Sequence, residues 1–235
     1  MASTAKQLKA AILQRAIEGK LVKQNPNDEP VSELLKRIKA AKNAKDAKKS
    51  KPLPPITDDE KPFQIPDSWQ WVRLGEICHI EMGQSPDGSS INKQTGIEFH
   101  QGKIFFTDKF IAVSTDKTTA PSKLALPNSV LLCVRAPVGK VNIVSRQICI
   151  GRGLCAITPL CGMSVEFIFN WLTAFEDAFN NMATGSTFKA ISKEIVYNQA
   201  IPLPPLAEQK RIVEKIESLQ SLCRKLAKTI SKEAV

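Results

Sequence analysis

Apolar side chains recur at helical spacing near the start of the chain. Leu8, Ala11, Ile12, Leu13, Ala16 and Ile17 share one face, and Gly19 marks the end of the helix they predict. Turn residues follow from Asn25 to Pro30, with Asn27 or Asp28 available as a cap. A second helix is expected on the stripe Val31, Leu34, Leu35, Ile38 and Ala41. Prolines 52, 54, 55, 62 and 66 then predict an extended linker, because proline fits neither a helix interior nor a central strand. Between Trp69 and Thr158 the texture changes to short β-type runs: Ile104 to Phe106, Phe110 to Val113, Val130 to Arg135, Val141 to Val144 and Gln147 to Ile150. One helix with a broad apolar face is expected over Val165, Ile168, Phe169, Leu172, Phe175 and Phe179. A polar loop from Ala183 to Lys189, a short edge segment through Ile201 and prolines 202, 204 and 205 lead into a long helix from Leu206. There Ile212, Ile216, Leu219, Cys223, Leu226 and Ile230 are spaced 4-3-4-3-4, a heptad seam that favours a coiled coil over a helix packed on its own domain.

These elements predict a mixed α/β (α+β) chain: a helical segment with a basic arm over 1–50, a proline linker over 51–66, a β-rich domain with packed helices over 67–204 and a coiled-coil helix over 205–235. Charge adds a direction. The net charge of +10 favours an acidic partner such as nucleic acid or an anionic surface. Eight Lys or Arg against one Asp lie between residues 36 and 51, where a charge run predicts a solvated or disordered linker. A second block sits in foldable sequence: Lys103, Lys109, Lys117, Lys123, Arg135, Lys140, Arg146 and Arg152 against Asp108 and Asp116. That block is the better candidate for a face turned to phosphate.

Chemistry of its own has little to stand on. The six Cys form no C-x-x-C pair and only two His accompany them, so no metal site is expected; Cys133, Cys149 and Cys155 are expected as small core residues of a reduced, cytoplasmic compartment. No apolar run approaches the roughly 20 residues of a membrane helix, so no membrane partner is expected. The basic, amphipathic first twenty residues leave an organelle transit peptide open as an alternative. A phosphate-binding G-x-x-x-x-G-K-[ST] loop would need glycine where Val134 stands, five residues before Gly139. Pro54-Pro55 and Pro204-Pro205 sit in linker and helix-start contexts rather than in a methyltransferase tetrapeptide.

The run ATGSTFKAISKEIVYNQAIPLPPLAEQKRIVEKIE, residues 183–217, resembles the conserved region of type I restriction-modification specificity subunits. LKAAILQRAIEGKLVKQNPNDEPVSELLKRI from Leu8, IPDSWQWVRLGEI from Ile65, MGQSP from Met82, RAPVGKV from Arg135 and CIGRGLCAI from Cys149 resemble the same family in the same order. The resemblance implies a non-catalytic subunit that recognises double-stranded DNA through a target-recognition domain and docks methyltransferase subunits, in some systems with restriction subunits as well. S-adenosylmethionine would then belong to the methyltransferase, and no cofactor is expected here. Base reading needs hydrogen-bonding groups on loops, while Lys and Arg hold phosphate. The candidates by residue type and position are Gln84, Ser85, Lys93, Gln101, Lys103, Arg135, Lys140, Arg152, Ser186 and Lys189, each of which by type is also an ordinary surface or turn residue. Gly151, Gly153 and Gly185 are expected as turn formers, Trp69 and Trp71 as packing.

A full specificity subunit of this family carries two recognition domains, whereas this chain shows one, flanked by parts of conserved regions in circularly arranged order. The expectation is a homodimer reading a palindromic bipartite target. Leu8, Ile12, Leu13 and Ile17 of one copy would meet Ile212, Ile216, Leu219, Cys223, Leu226 and Ile230 of the other. Pairing with a different half-subunit, and an assembly or regulatory protein without DNA specificity of its own, stay open as alternatives.

Overall fold

The computed structural model describes residues 2–45, 53–185 and 189–233. The first helix, α1, runs Ala2–Ile17. Its end follows from two backbone bonds, Gly19 N–H to Ala16 O at 3.2 Å and Lys20 N–H to Arg15 O at 2.9 Å, with Gly19 at φ +70°. This is the Schellman arrangement, which glycine alone adopts without strain. Space gives a second reason, since a Cβ at Gly19 would stand 2.5 Å from the Pro66 ring. The second helix, α2, covers Val31–Lys45 and buries Val31, Leu34 and Ile38. It therefore continues into the basic arm, correcting the expectation of a solvated linker there. Lys36 pairs with Glu33, Arg37 with Glu29 at 2.6 Å, and Lys42 donates to Gly75 O. Residues 46–52, with the rest of the arm, lie outside the described residues.

The proline linker is held by one buried arginine. Arg73 pairs in two-pronged fashion with Glu60 (2.5 and 2.8 Å) and donates to the carbonyls of Pro54, Pro55 and Asn198. That guanidinium holds the Glu60 carboxyl well below its ordinary value, at about 2.

Arg73 ends strand β1, Gln70–Arg73, which is followed by a short helix α3, Leu74–Ile77, and strand β2, Cys78–Met82. Strands β3 (Ile91–Asn92), β4 (Ile97–His100), β5 (Lys117–Thr118), β6 (Leu124–Ala125), β7 (Ser129–Cys133), β8 (Val141–Val144), β9 (Ile148–Ile150) and β10 (Leu154–Pro159) complete the β-rich part. An antiparallel sheet in the order β2-β10-β7-β8 stands at the centre, next to a sheet in the order β3-β5-β4-β9-β6 whose β4 and β9 run parallel.

Strands β7 and β10 of the central sheet are buried on both faces, and the pleat divides their residues. Val130 and Leu132 of β7 with Cys155 and Ile157 of β10 point into the larger core beside the helices. Leu131 and Cys133 with Leu154 and Ala156 point into a second core with Ile111, Ala125, Ile148 and Ile150. Burial pushes the Cys133 thiol up to about 12, so it behaves as an apolar side chain. Two expected strands are absent. Residues 103–105 form a 3-10 turn, and Phe110 makes only an isolated bridge to Ile143. A run of apolar residues gave a strand signal there, but the half-buried Phe105 and Phe106 pack against the second core from a loop.

The expected helix over 165–179 divides at Phe175 into α4, Val165–Ala174, capped by Ser164 Oγ accepting from Phe167 N–H at 3.1 Å, and α5, Glu176–Met182. Phe175 stacks on Trp171 with ring centroids 4.2 Å apart, while Phe179 is fully buried. Helix α6, Lys193–Asn198, leads to strand β11, Ala200–Leu203, which pairs antiparallel with β1. Helix α7 then runs Leu206–Glu233, about 42 Å at 1.5 Å per residue.

Ile212, Val213 and Ile216 of α7 are buried with Ile12, Leu13 and Ile17 of α1 in the larger core of one chain. The first part of the heptad seam thus packs on its own domain, against the coiled-coil expectation, and α1 meets α7 within a single copy. Farther along, Leu219 and Cys223 are half-buried and Leu226 is exposed, as is Leu8 at the outer end of α1. The side chain of Ile230 lies outside the described residues.

Candidate nucleic-acid interface

One end of the central sheet gathers most of the candidate residues. The strand β2 leaves the sheet at Met82, β10 begins at Leu154 beside it, β7 leaves at Cys133 and β8 begins at Val141, all at the same end. Backbone bonds tie the emerging loops into a row. Gln84 N–H donates to Ile150 O, Val134 N–H to Gly153 O, Ile191 N–H to Val134 O, and Ala136 N–H to Lys189 O, at 3.0 to 3.1 Å. Gln84 and Ser85, then Arg152, then Arg135, then Lys189 follow one another along that row. Ser85 Oγ donates to Gln101 Oε1 at 2.8 Å, which adds the Gln101–Lys103 segment, and Lys140 joins through Cys133 N–H donating to its carbonyl at 2.8 Å.

Close approach explains Gly153, where a side chain would meet backbone, and at Gly151 a side chain would displace the Gln101 amide. A Cβ at Gly151 would stand 2.1 Å from Gln101 Oε1, and one at Gly153 would stand 2.3 Å from the Gln101 carbonyl oxygen. The CIGRG segment is therefore read in space by residue 101. Gly185, at φ +113°, does sit in the left-handed region. Lys93 stands apart from the row, exposed in the β3–β4 turn of the other sheet, and Ser186 lies outside the described residues. Sequence reasoning missed Ser122, whose hydroxyl donates to Gln84 O; 38 residues separate the two, and no local pattern marks the contact.

Electrostatics thins the basic block considerably. Lys109 pairs with Glu217 at 2.6 Å, Lys123 with Glu81 at 2.8 Å, Lys140 with Glu176 at 2.6 Å, and Arg146 with Glu98 at 2.7 Å. These acids lie outside the stretch of sequence that made the block look uniformly positive, so Lys140 in particular is a neutralised member of the row. Lys103, Arg135, Arg152 and Lys189 are exposed and form no ion pair among the described residues. They are the candidate cations left without an acidic partner among the described residues.

Behind the row, Glu98 organises the support. It accepts two bonds from Arg146 at 2.7 Å each, one from Ser114 N–H at 3.1 Å, and lies 3.1 Å from His100 Nε2. The Arg146 guanidinium holds its carboxyl at about 2, far below its ordinary value. Burial lowers the proton affinity of His100, which is thereby kept neutral. The His100 carbonyl also accepts from Gly151 N–H at 2.9 Å, linking this cluster to the Arg152 turn.

The AEQKR segment at the start of α7 fixes that helix to the domain. Arg211 forms a two-pronged pair with the nearly buried Asp28 (2.5 and 3.1 Å), and Gln24 Nε2 donates to Glu208 Oε1 at 2.9 Å. Burial pushes the Glu208 carboxyl above its ordinary range. Gln209 donates to Pro204 O at 3.0 Å and accepts from Ser164 N–H at 3.3 Å, fastening α7 to the cap of α4. These signature residues therefore hold the 24–28 turn, the start of α7 and α4 together.

Comparison with known proteins agrees with this architecture. Residues 66–234 match the family model described as type I restriction modification DNA specificity domain. A putative type I restriction enzyme MjaX specificity subunit of Methanocaldococcus jannaschii is 38% identical over 163 residues, 68% of this chain and 38% of the relative. The EcoAI specificity subunit of Escherichia coli is 32% identical over 94% of this chain and 40% of its own length. The crystal structure of an HsdS subunit from Thermoanaerobacter tengcongensis superposes with a TM-score of 0.63 at 32% identity, covering 95% of this chain and 51% of that one. The chain thus spans about two fifths of these curated relatives and half of the solved structure. With the family model matched along most of its length, the chain belongs to the type I restriction-modification DNA specificity family.

Proposed function

We propose that the chain is the DNA-reading component of a type I restriction-modification system and that it reads through the row at the end of the central sheet. The observation that supports this most directly is the convergence of the unpaired cations Lys103, Arg135, Arg152 and Lys189 with the amide and hydroxyl groups of Gln84, Gln101 and Ser85. Cations of this kind set register on phosphate while the polar groups read base edges. The similarity to specificity subunits extends the proposal: methyltransferase subunits, and in some systems restriction subunits, are the partners, and the methyl donor S-adenosylmethionine sits on the former. The chain carries no reaction of its own and works in the cytoplasm.

The test is selection of duplexes from a random library by the full chain, followed by affinity measurements over a salt series. One enriched sequence is expected. Reversing Arg135 and Arg152 to Glu should weaken binding to specific and random duplexes alike, and should reduce the salt slope by about 0.9 for each phosphate no longer neutralised. An unchanged slope would move the interface to another face. Binding that is salt-dependent but selects no sequence would instead favour an assembly role without specificity.

We further propose that the exposed continuation of the α7 seam is a dimer contact. Leu222 and Leu226 are each 53% exposed, beside the half-buried Leu219 and Cys223. Apolar surface left in water costs about 25 cal/mol per Å². A second copy related by a two-fold axis covers the same residues on both chains, and identical recognition domains then require a target with inverted halves. A helix of about 42 Å compares with the roughly 34–36 Å of one DNA turn.

A further inference from the structure

Ile104 is 86% exposed, more than any other large apolar side chain among the described residues. It occupies the middle of the 3-10 turn at residues 103–105, directly after Lys103 and close to Gln101. The turn is firmly held. Phe106 N–H closes it on Lys103 O at 2.9 Å, and Ala112 N–H donates to Phe105 O at 2.9 Å. The Phe105 ring meets the buried His100 edge to face at 5.4 Å, while Phe105 and Phe106 both pack against the second core. The structure thus anchors the residues after Ile104 and holds Ile104 itself out in solvent, next to the unpaired Lys103.

From this juxtaposition we infer that Ile104 reads DNA directly, by apolar contact with the C5-methyl group of a thymine in the major groove. The inference rests on the DNA-reading role proposed above. An aliphatic side chain directly after Lys103, on a segment whose Gln101 and Gly102 backbone lies against Gly153 next to Arg152, faces a surface that must be anionic to match its neighbours. On such a surface the major-groove edges offer one apolar group, the thymine methyl, to side chains of this kind. Gln101 alongside supplies an amide for an adjoining base, so the turn carries both a hydrogen-bonding and a methyl-reading element. Ile104 is then a specificity-determining residue at one position of each half-site.

The test uses the full chain and the duplex it enriches from a random library, with each thymine replaced in turn by deoxyuridine. For the wild-type chain, one substitution per half-site should weaken binding about three- to tenfold, the loss expected for one buried methyl group and its packing. Ile104→Ala should bind the thymine duplex more weakly by a similar factor and no longer distinguish thymine from deoxyuridine there, while Ile104→Val retains most of the distinction. With a side chain this exposed, the thermal midpoint of Ile104→Ala should match wild type. A chain that enriches no sequence overturns the DNA-reading role and this inference with it. A chain that enriches a sequence yet ignores every deoxyuridine, or an Ile104→Ala variant that keeps the thymine preference, overturns the inference alone. So would 2-aminopurine fluorescence rising on binding without deoxyuridine sensitivity, the mark of a wedge between base steps, or an Ile104→Ala defect confined to methyltransferase-subunit binding without DNA.

Discussion

Single residues at this site matter through partners remote in sequence. Glu98 is the clearest case, because Arg146 supplies two of its hydrogen bonds and holds its carboxyl at about 2 in the folded chain, against 4.5 ordinarily. A depressed folded value means that the unfolded chain takes up the proton first as pH falls. The stabilisation is therefore complete above the ordinary carboxylate value and is lost between pH 4.5 and about 2. Arg146→Met should cost about 2–3 kcal/mol in urea unfolding at pH 7, since it strands a largely buried carboxylate. At pH 3 the difference from wild type should narrow, and a difference independent of pH would exclude the pair as its source. His100 adds to the same trend. With its folded value lowered by burial, it withdraws stability as pH falls below the ordinary imidazole value of 6.5. Nothing in the segment around Glu98 announces these roles, and the pattern of charges along the chain left Arg146 available to DNA.

At the scale of elements, α7 shows where periodicity is informative and where it is silent. The 4-3-4 spacing marks which face is apolar, and the structure buries Ile212 and Ile216 on that face. Periodicity does not say what covers the face, and here α1 and α4 of the same chain cover its first part. Ile216→Ala should therefore cost about 2–4 kcal/mol in a dilute sample, as a large-to-small change in a packed core does. Leu226→Ala should cost less than about 0.5 kcal/mol under the same conditions. Equal losses at the two positions would contradict the division between a packed and a projecting part of the helix. The helix over 165–179 carries a related lesson: its apolar spacing is compatible with one helix, but Phe175 stacks on Trp171 and the chain restarts as α5.

For the whole molecule, the proposed homodimer rests on the projecting part of α7. Light scattering of the wild-type chain at micromolar concentration should report a dimer, and Leu222→Asp combined with Leu226→Asp should give a folded monomer. Both positions are exposed in the single chain, so the paired substitution tests association without disturbing the core. A wild-type monomer, or a target with unrelated halves when this is the only specificity chain present, would overturn the homodimer.

The local pattern of the sequence determined α1, with its Gly19 stop, the start of α2, strands β7, β8 and β9, the α7 face and, through the long signature from Ala183 to Glu217, the family. These are short-range properties, set by side-chain spacing, capping and motif. Tertiary structure decided which candidates share a surface: it joined Gln84, Ser85, Gln101, Arg135, Arg152 and Lys189 at one sheet end and left Lys93 apart. It also decided which cations remain free, because the acids that neutralise Lys109, Lys123, Lys140 and Arg146 come from strands and helices elsewhere in the chain. Charge acts through space over a few ångströms, and that distance is set by the fold and not by separation along the chain.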